Sequence, residues 1–516
     1  MMKRALLALL VVIIALAAAA AFFINSQRDH QLAAIAALER GDMSGATPHL
    51  RALRQRTVWF PAVTKQDAAK RLFARGSYAE YLAYDLSFIA RGQPPSVMLY
   101  RAAALALGGN ASAASKIFAA IDATKVDPKQ YASVRAGIDA RINGRLPFAF
   151  DRAGQAIATY DFTTQTLTAD WREFQPLVDT LISPHTRNLG TARSVDLTID
   201  PNAQRAAIAA LGAYRGTLVA IDPRTNEILA IASANGASLD HQYEPGSVVK
   251  VLTGLNAVDS NVSITFPYQC TGALEIDGTH FTDWVPSGHG TLETLDEALA
   301  VSCNIVFAEF GLRLGNDKLH DFMTRAGFDG QTDAGLGAIT LGRTVPPVVS
   351  RNDAAHFAIG LEHETITPLH LAMLASMMAN RGVLTSPRLL RARRTILGDV
   401  AVTSTEQGSS RIASERAATT MIHAMQAVVT DPRGTGRRAF IDGIPIAMKT
   451  GTAGSREKGY DALIMAFAPV DSPKIAFAVI AENAGHAELA GAQIAHDFVS
   501  AMFGRTTAGA IEAAKP

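Results

Sequence analysis

The sequence predicts an α/β (α+β) fold in which an antiparallel sheet is flanked by helices, preceded by an all-α region and an N-terminal transmembrane helix. Two apolar runs, 216–222 and 227–233, flank a Pro-Arg-Thr-Asn turn and predict a hairpin. Further strand candidates occur near Ile444, Leu463 and Ile475, after a long and mainly helical stretch. Strands that come from both ends of a segment, with helices between them, predict one sheet covered by helical layers.

Composition excludes some classes of function. The chain has 516 residues, of which 48% are hydrophobic and 18% charged, which is enough for at least two hydrophobic cores. The formal net charge is only +1, so no nucleic-acid partner is expected. The 13 histidines form no His-Glu-x-x-His or comparable cluster, and His363, between two glutamates, is expected to be a solvated loop residue. We therefore predict neither a metal nor a cofactor.

The first element is a candidate membrane anchor. Residues 5–24 are all Ala, Leu, Val, Ile or Phe, and twenty such residues span a bilayer. Lys3 and Arg4 predict that the tail at 1–4 stays in the cytoplasm. A cleaved signal peptide is the alternative, because the alanine run 17–21 offers a cleavage site, but the apolar stretch exceeds a normal signal core. We expect a single-pass anchor, with the rest of the chain exported.

Residues 25–143 are predicted to be helical, since alanine-rich apolar positions recur at spacings of three and four. Gly41, Gly76 and Gly109 are spaced by 35 and 33 residues, and each lies between two apolar helical segments. This spacing is similar to degenerate tetratricopeptide repeats, in which glycine ends the first helix of a pair. An irregular helical domain explains the same pattern.

The remainder divides into three parts. Residues 144–193 predict a small linker or pedestal segment that contains a strand–turn–strand unit at 150–158. Residues 194–505 form the main domain, which begins with a strand at 195–200 and ends with a helix near 491–503. Residues 506–516 are expected to be a flexible tail.

The first candidate catalytic pair lies in Tyr-Glu-Pro-Gly-Ser-Val-Val-Lys at 243–250. If a helix begins at Ser247 after the Pro-Gly turn, the spacing of three places Lys250 beside the serine. Burial lowers the pKa of an amine until it can accept a proton, and a helix N-terminus offers free N–H groups to an oxyanion. The pair predicts serine acyl transfer, although a helix N-cap with an incidental lysine is the alternative. The other Ser-x-x-Lys, at 455–458, is expected to lie in a solvated loop.

A second motif is Ser302-Cys303-Asn304, which interrupts an apolar helical stretch. Two polar side chains on one side of a tight loop need polar partners. Ser302 would pass a proton between Lys250 and a leaving amine, while Asn304 would hydrogen-bond a substrate amide. The pattern alone is weak, because Ser-x-Asn recurs at 233–235 and 350–352.

The third motif, Lys449-Thr450-Gly451, follows a strand candidate at 444–448 and occurs once in the chain. On an edge strand it supplies a cation near the nucleophile, a hydroxyl for a carboxylate, and a position without a side chain where a substrate backbone can approach. A β-turn with an exposed lysine is the alternative for an isolated Lys-Thr-Gly.

In this order, the three motifs resemble those of penicillin-binding proteins and serine β-lactamases. The resemblance covers about residues 193–504 and is closest to monofunctional, membrane-anchored class B penicillin-binding transpeptidases. The flanking segments that also resemble this family are 198–204, 220–225, 243–246, 297–299, 367–369 and 379–382, and Asp151-Arg152-Ala153-Gly154 is similar to the segment that opens the part before the transpeptidase.

The resemblance implies a penicillin-binding transpeptidase fold and a D,D-transpeptidase on the periplasmic side of the bacterial cytoplasmic (inner) membrane. Ser247 would attack the D-Ala-D-Ala bond of a peptidoglycan stem peptide, and β-lactams would acylate the same serine. Lys250 would be the general base and Ser302 the proton relay, which makes these three the catalytic residues. The substrate-binding residues that it implies are Asn304, Lys449, Thr450, Gly451 and Thr452, with the N–H groups of Ser247 and Thr452 as the oxyanion hole.

The chain also departs from the family pattern. It has Gly360-Leu361-Glu362 where the family often has Gly-Gln-Gly, and 460–467 lacks the aromatic and histidine residues that often follow Lys-Thr-Gly. These changes put the preference for a standard stem peptide in doubt. No glycosyltransferase is expected, because residues 25–143 lack its acidic motifs, and we expect this region to dock a cell-envelope or cell-wall synthesis protein.

Related functions remain open at this point. A β-lactamase or a β-lactam sensor uses the same acylation chemistry, a D,D-carboxypeptidase differs only in using water as acceptor, and an inactive scaffold would act through its helical region. Cys270 and Cys303 are the only cysteines, and an exported location permits a disulfide that fixes the Ser-Cys-Asn loop. Two free thiols are the alternative.

Overall fold

The computed structural model describes residues 2–39, 45, 48–49, 51–52, 95–107, 109–182, 192–234, 241–335, 337–344, 349–362, 364–398, 400–401, 408–455, 457 and 459–504. The helices that we number in chain order are α1 (Met2–Glu39), α2 (Pro95–Leu107), α3 (Ala111–Ala119), α4 (Pro128–Ile142), α5 (Pro201–Leu211), α6 (Lys250–Asp259), α7 (Leu295–Ala300), α8 (Asn304–Leu314), α9 (Asn316–Arg325), α10 (Arg351–Phe357), α11 (Pro368–Ala379), α12 (Glu415–Thr430) and α13 (Ala490–Met502).

The strands of the described residues are β1 (Arg145–Phe150), β2 (Ala156–Asp161), β3 (Thr166–Ala169), β4 (Ala192–Leu197), β5 (Gly216–Asp222), β6 (Glu227–Ala234), β7 (Tyr268–Cys270), β8 (Ala273–Ile276), β9 (Thr279–Thr282), β10 (Gly290–Leu292), β11 (Gln331–Asp333), β12 (Ala338–Thr340), β13 (Arg343–Thr344), β14 (Glu364–Thr365), β15 (Val383–Thr385), β16 (Leu390–Thr395), β17 (Val400–Ala401), β18 (Ser409–Arg411), β19 (Ala447–Ser455), β20 (Gly459–Ala468) and β21 (Ile475–Ala481).

The main domain is built on a five-stranded antiparallel sheet in the order β19-β20-β21-β5-β6. Every residue of β5 and β21 is buried, and because successive strand residues face opposite sides, both faces of the sheet are covered. Helices α5 and α13 pack against each other and against the sheet, and α11 packs against β5, β20 and β21. The predicted antiparallel sheet flanked by helices is confirmed.

A second, six-stranded sheet has the order β17-β16-β4-β1-β2-β3. The sequence assigned β4 to the main domain, but in the structure β4 pairs with β1 and β16 of this second sheet. The sheet therefore takes strands from three separate segments of the chain. Glu227 of β6 accepts hydrogen bonds from Arg152 (3.1 Å) and Arg388 (2.5 Å), which fastens the second sheet to the edge of the central one.

Helices α2, α3 and α4 pack on one another around a separate small core that also contains Ile396 and Leu397. Gly109 lies between α2 and α3 with φ +85°, a conformation that suits glycine at the end of a helix. Gly41 and Gly76, on which the proposed repeat depends, lie outside the described residues. In the part of the chain whose placement is described, no helix has both the length and the apolar character needed to cross a membrane.

The candidate site lies where helices of the main domain, α6, α7, α8 and α12, meet the edge of the central sheet. Helix α6 packs against α8 and α12, α7 packs against α12, and α12 packs against β19. The three motifs therefore come from separate segments: the turn before α6, the loop between α7 and α8, and the edge strand β19.

Candidate active site

Ser247 lies in a short 3₁₀ turn, Gly246–Val249, that continues into α6 at Lys250. The sequence predicted a helix beginning at the serine. In a 3₁₀ turn, residues three apart are eclipsed, so the structure places Ser247 and Lys250 on one face, as the spacing predicted. Gly246, the first residue of the turn, has φ +56°, and its N–H donates to the Gly360 carbonyl at 2.9 Å. This hydrogen bond fixes the turn to the 360 loop.

The Lys250 amine joins the first two motifs. It is completely buried and donates to the Ser302 carbonyl (2.7 Å), to Ser302 Oγ (3.2 Å) and to Asn304 Oδ1 (2.5 Å). Burial lowers the pKa of Lys250 to about 8, although the negative charge of Asp283 opposes that shift. A substantial fraction of this amine is neutral at physiological pH, which is the state that a general base needs.

Ser302 ends helix α7 in an unusual conformation. Its N–H donates to the Leu299 carbonyl (3.1 Å), and the next N–H, from Cys303, donates to the Ala298 carbonyl (3.0 Å), which together form a Schellman motif. The left-handed position of this motif usually holds glycine, yet here it holds Ser302 with φ +57°. Such strain costs on the order of 1–3 kcal/mol and is typical of functional positions.

The Ser302 hydroxyl lies between two buried amines. Its Oγ is 3.2 Å from Lys250 Nζ and 3.0 Å from Lys449 Nζ. Burial, with the neighbouring Lys250 as a second cause, holds the pKa of Lys449 well below its usual range. Two amines on one hydroxyl form a continuous path along which a proton can move between the first and third motifs.

Asp283, which the sequence did not single out, fixes the Ser302-Cys303-Asn304 loop. Its Oδ2 accepts the N–H groups of Asn304 (2.9 Å) and Ile305 (3.4 Å) and so caps α8 from 21 residues upstream. Burial opposes the ionisation of Asp283, but the hydrogen bond from His289 and the Lys250 charge outweigh it and lower the pKa of the carboxyl. No local sequence pattern predicts a cap from so distant a residue.

Strand β19 supplies the third motif along the edge of the central sheet. Lys449 Nζ donates to the Thr450 carbonyl (2.7 Å), and Thr450 Oγ1 shares a hydrogen bond of 2.7 Å with Thr435 Oγ1. Thr452 Oγ1 accepts the Ala487 N–H at 3.1 Å, which leaves its own hydroxyl proton available. The two threonines can therefore donate to an anionic group that binds against this strand.

Close packing explains why position 451 holds glycine. A Cβ at this position would lie 2.8 Å from the Pro245 carbonyl oxygen and 2.9 Å from Val248 Cγ1. The sequence suggested that the missing side chain makes room for a substrate backbone. The described contacts show that it makes room for the Ser247 turn, which brings the nucleophile against β19.

These elements surround one cavity of about 330 Å³. The residues that line it are Ser247, Trp284, Ser302, Asn304, Ile359, Leu361, Thr435, Thr450, Thr452, Tyr460, His486 and Glu488. Of the eight site residues predicted from the sequence, five are in this lining, and Lys250, Lys449 and Gly451 lie buried behind it. The structure therefore brings all eight predicted residues together.

Sequence reasoning missed part of the cavity wall. Tyr460 and His486 stack with ring centroids 5.2 Å apart, so an aromatic ring and a histidine do line the site although 460–467 did not match the family pattern. Trp284, whose Nε1 donates to the Val301 carbonyl at 3.2 Å, and Glu488 were also missed. Tyr460 comes from strand β20 and the other three residues come from loops outside the motifs, so only the fold brings them to the cavity.

Cys270 and Cys303 are buried free thiols in this structure, which is the second of the two alternatives that the sequence left open. Cys303 Sγ donates to Cys270 Sγ over 3.4 Å, and neither residue lines the cavity. Their sulfurs and a carboxylate oxygen of Asp283 lie within 4.8 Å of one another. Among the described residues, this group has the ligand types and the spacing that could hold a metal ion.

Glu364 is a buried carboxyl close to the nucleophile turn. In the described part of the chain, neither of its carboxyl oxygens has a hydrogen-bond partner. Burial, and then the negative charge of Glu244, raises the pKa of Glu364 well above its usual range. The folded protein therefore favours the protonated form of this side chain relative to an exposed glutamate.

Changing Glu364 to glutamine is expected to weaken the loss of stability that accompanies a rise in pH. Because the pKa is raised in the folded state, the protonated carboxyl favours folding fully below the unfolded pKa of about 4.3, and that contribution is lost as pH rises towards the folded pKa. We expect the difference in Tm between Glu364→Gln and the native protein to grow in favour of the variant from about pH 5 to about pH 8.

The matched control for this measurement is Glu362→Gln, since Glu362 is exposed on the same segment. Its Tm should follow that of the native protein at every pH. A Glu364→Gln variant whose Tm runs parallel to the native curve would contradict the assignment of a buried protonated carboxyl.

Comparison with known sequences gives a consistent set of matches. The sequence profile described as the penicillin binding protein transpeptidase domain matches residues 216–502. Peptidoglycan D,D-transpeptidase PbpA of Mycolicibacterium smegmatis is 30% identical over 340 residues, which are 57% of this chain and 68% of that protein. Peptidoglycan D,D-transpeptidase MrdA of Acinetobacter baumannii is 29% identical over 349 residues, which are 56% of this chain but only 51% of that protein.

Solved structures match over a larger share of the chain. The penicillin G acyl-enzyme complex of penicillin-binding protein A from Mycobacterium tuberculosis has a TM-score of 0.56 at 22% identity, covering 70% of this chain and 99% of that one. Penicillin binding protein 3 from Mycobacterium tuberculosis has a TM-score of 0.60 at 20% identity, covering 70% of this chain and 97% of that one. At these identities the structures show the fold.

Proposed function

The chain belongs to the penicillin-binding protein transpeptidase family, and we propose that it is a class B peptidoglycan D,D-transpeptidase that cross-links stem peptides through an acyl-enzyme. β-Lactams acylate the same serine and inhibit it covalently. The observation that carries this proposal is the chain of polar contacts from Lys250 through Ser302 Oγ to Lys449, at the floor of the cavity that Ser247 lines.

Acylation begins at Ser247. The neutral Lys250 amine, one 3₁₀ turn further on, takes the hydroxyl proton as Oγ attacks the carbonyl carbon of the penultimate D-Ala. The N–H groups of Ser247 and Thr452 are assigned to the oxyanion. This assignment agrees with the close approach of their backbones, since a Cβ at Gly246 would lie 3.4 Å from Thr452 N.

The leaving D-Ala requires a proton on its nitrogen. Ser302 Oγ contacts both Lys250 and Lys449, so it can donate its proton to the departing amine and regain one from the protonated Lys250. The terminal carboxylate of the donor peptide is assigned to Thr450 and Thr452, with the Lys449 amine behind them. Asn304, held by Lys250, is assigned to a substrate amide.

Deacylation completes the transfer. An amine from a second stem peptide attacks the ester carbonyl, loses its proton to Lys250, and Ser247 Oγ leaves with a proton to restore the free enzyme. The products are one new amide and one D-Ala. Water in place of the amine would give the carboxypeptidase reaction.

The test is product analysis with a pentapeptide donor that ends in D-Ala-D-Ala and an amine acceptor. The proposal expects D-Ala release together with an amide product that contains both peptides. Release of D-Ala with hydrolysed donor alone, even at high acceptor concentration, would identify a carboxypeptidase. No release from any donor peptide would contradict a D,D-acyltransferase.

For the N-terminal part, the proposal rests on the sequence. Residues 5–24 would anchor the chain in the bacterial cytoplasmic membrane, with 1–4 inside and the catalytic domain on the periplasmic side. Protease added to spheroplasts should then digest the catalytic domain, and full protection would contradict this topology. Residues 25–143 would dock a cell-envelope or cell-wall synthesis protein, and deletion of 31–143 with unchanged co-purifying partners and localisation would contradict that role.

A further inference from the structure

Glu488 is a carboxylate on the wall of the catalytic cavity without an evident partner. It is half-buried and lines the same cavity as Ser247. In the part of the chain that the structure describes, its side chain makes no hydrogen bond or ion pair. The other described residues that line the cavity include no Asp, Glu, Lys or Arg, so Glu488 is the one carboxylate among the described lining residues.

The segment that carries Glu488 is held in place by backbone hydrogen bonds. The Ala487 N–H donates to Thr452 Oγ1 (3.1 Å), the Gly485 N–H to the Tyr460 carbonyl (3.0 Å), and the Ala492 N–H to the Ala487 carbonyl (2.8 Å). The backbone that carries Glu488 is therefore fixed beside strand β19. Half-burial at a fixed position strengthens its interaction with a cation relative to a mobile surface glutamate.

The donor peptide does not explain a carboxylate at this position. Its terminal carboxylate is assigned to Thr450 and Thr452, and a second negative charge nearby repels it. The acceptor has the opposite charge, because a primary aliphatic amine is an ammonium ion at neutral pH. A carboxylate at the cavity wall can hold that ammonium by a charge-assisted hydrogen bond.

We propose that Glu488 binds the side-chain ammonium of the acceptor stem peptide, with the stacked Tyr460 and His486 rings as the wall along its aliphatic stem. The inference rests on the proposed transpeptidase function and assigns the recognition of its amine acceptor to one residue of this chain. Glu488 thereby selects the acceptor and holds it beside the acyl-enzyme until the ammonium has lost one proton to solvent; the neutral amine then attacks and loses its second proton to Lys250.

The experiment measures how the acyl-enzyme divides between two acceptors. A thioester donor acylates Ser247, and the transfer products are counted with Nα-acetyl-lysine amide, a cationic amine, and with hydroxylamine, a nucleophile that is uncharged at neutral pH. Glu488→Gln is expected to lower transfer to the lysine amine by about tenfold to a hundredfold relative to transfer to hydroxylamine, since one hydrogen bond to a charged group is lost. Glu488→Asp should recover part of that ratio.

Glu293→Gln is the matched control, because Glu293 is an exposed glutamate outside the cavity, and its acceptor ratio should equal that of the native protein. An unchanged ratio in Glu488→Gln would overturn the inference, whether both transfers fall together or neither falls. If the native protein forms no acyl-enzyme with the thioester, the proposed function itself fails, and this result is distinct from an unchanged ratio.

Discussion

Replacing Lys250 with methionine is expected to slow acylation by penicillin by about 10²–10⁴-fold, the usual contribution of a general base. Methionine fills a similar volume but provides no amine, so Ser247 loses its proton acceptor and Ser302 Oγ keeps only its contact with Lys449. The measurement is the second-order rate constant for covalent labelling by a fluorescent penicillin.

The control for this variant is Lys318→Met, which changes an exposed lysine on α9 and should leave the labelling rate unchanged. Thermal unfolding of both variants separates loss of the base from loss of the fold. A folded Lys250→Met protein that labels at the native rate would remove Lys250 from the mechanism.

The native labelling rate should also depend on pH in a defined direction. Burial lowers the pKa of Lys250 to about 8, and only the deprotonated amine acts as a base. The rate is therefore expected to rise about tenfold per pH unit well below that pKa and to level off above it. A rate that falls with rising pH would contradict the assigned base.

Changing Gly360 to alanine is expected to displace the Ser247 turn and so to slow acylation by penicillin. The new Cβ would lie 1.9 Å from the Gly246 carbonyl oxygen, and Gly360 has φ +87°, which an L side chain rarely adopts. The Ser247 turn must therefore shift. Displacement of a nucleophile by about 1 Å can cost on the order of 10²-fold in rate, and left-handed strain adds roughly 1–2 kcal/mol of instability. The readouts are the labelling rate and Tm.

Gly278→Ala is the control that separates the effect of left-handed backbone strain from the effect of the steric clash. Gly278 has a similar φ of +82°, but a Cβ there would contact nothing within 4 Å. This control should show a modest loss of Tm and a native labelling rate. If Gly360→Ala also labelled at the native rate, the contact between the 360 loop and the nucleophile turn would not position Ser247.

Local patterns in the sequence predicted the parts of the site that depend on short-range order. The three-residue spacing from Ser247 to Lys250 holds in a 3₁₀ turn, and the run around Lys449 is a strand that pairs in register with β20. The hairpin of β5 and β6 likewise follows from two apolar runs and a turn. Each of these depends on neighbours within a few residues.

The remaining features depend on long-range packing, which a local pattern does not encode. Asp283 caps a helix that begins 21 residues later, and Tyr460 meets His486 across a strand and a loop. Gly451 was assigned to substrate approach because the sequence does not show that Pro245 and Val248 fill the space beside it. The pairing of strand β4 was not predicted for the same reason, since its partners β1 and β16 are remote in sequence.

The most direct test of the central claim is intact-mass spectrometry of the protein mixed with penicillin, followed over time, with Ser247→Ala alongside. A serine acyl-enzyme that water attacks slowly predicts a long-lived adduct of one penicillin per chain, which is absent in Ser247→Ala. Rapid turnover of the drug without an adduct would indicate a β-lactamase instead. An adduct that persists in Ser247→Ala, or no reaction at all, would contradict Ser247 as the nucleophile of a penicillin-binding transpeptidase.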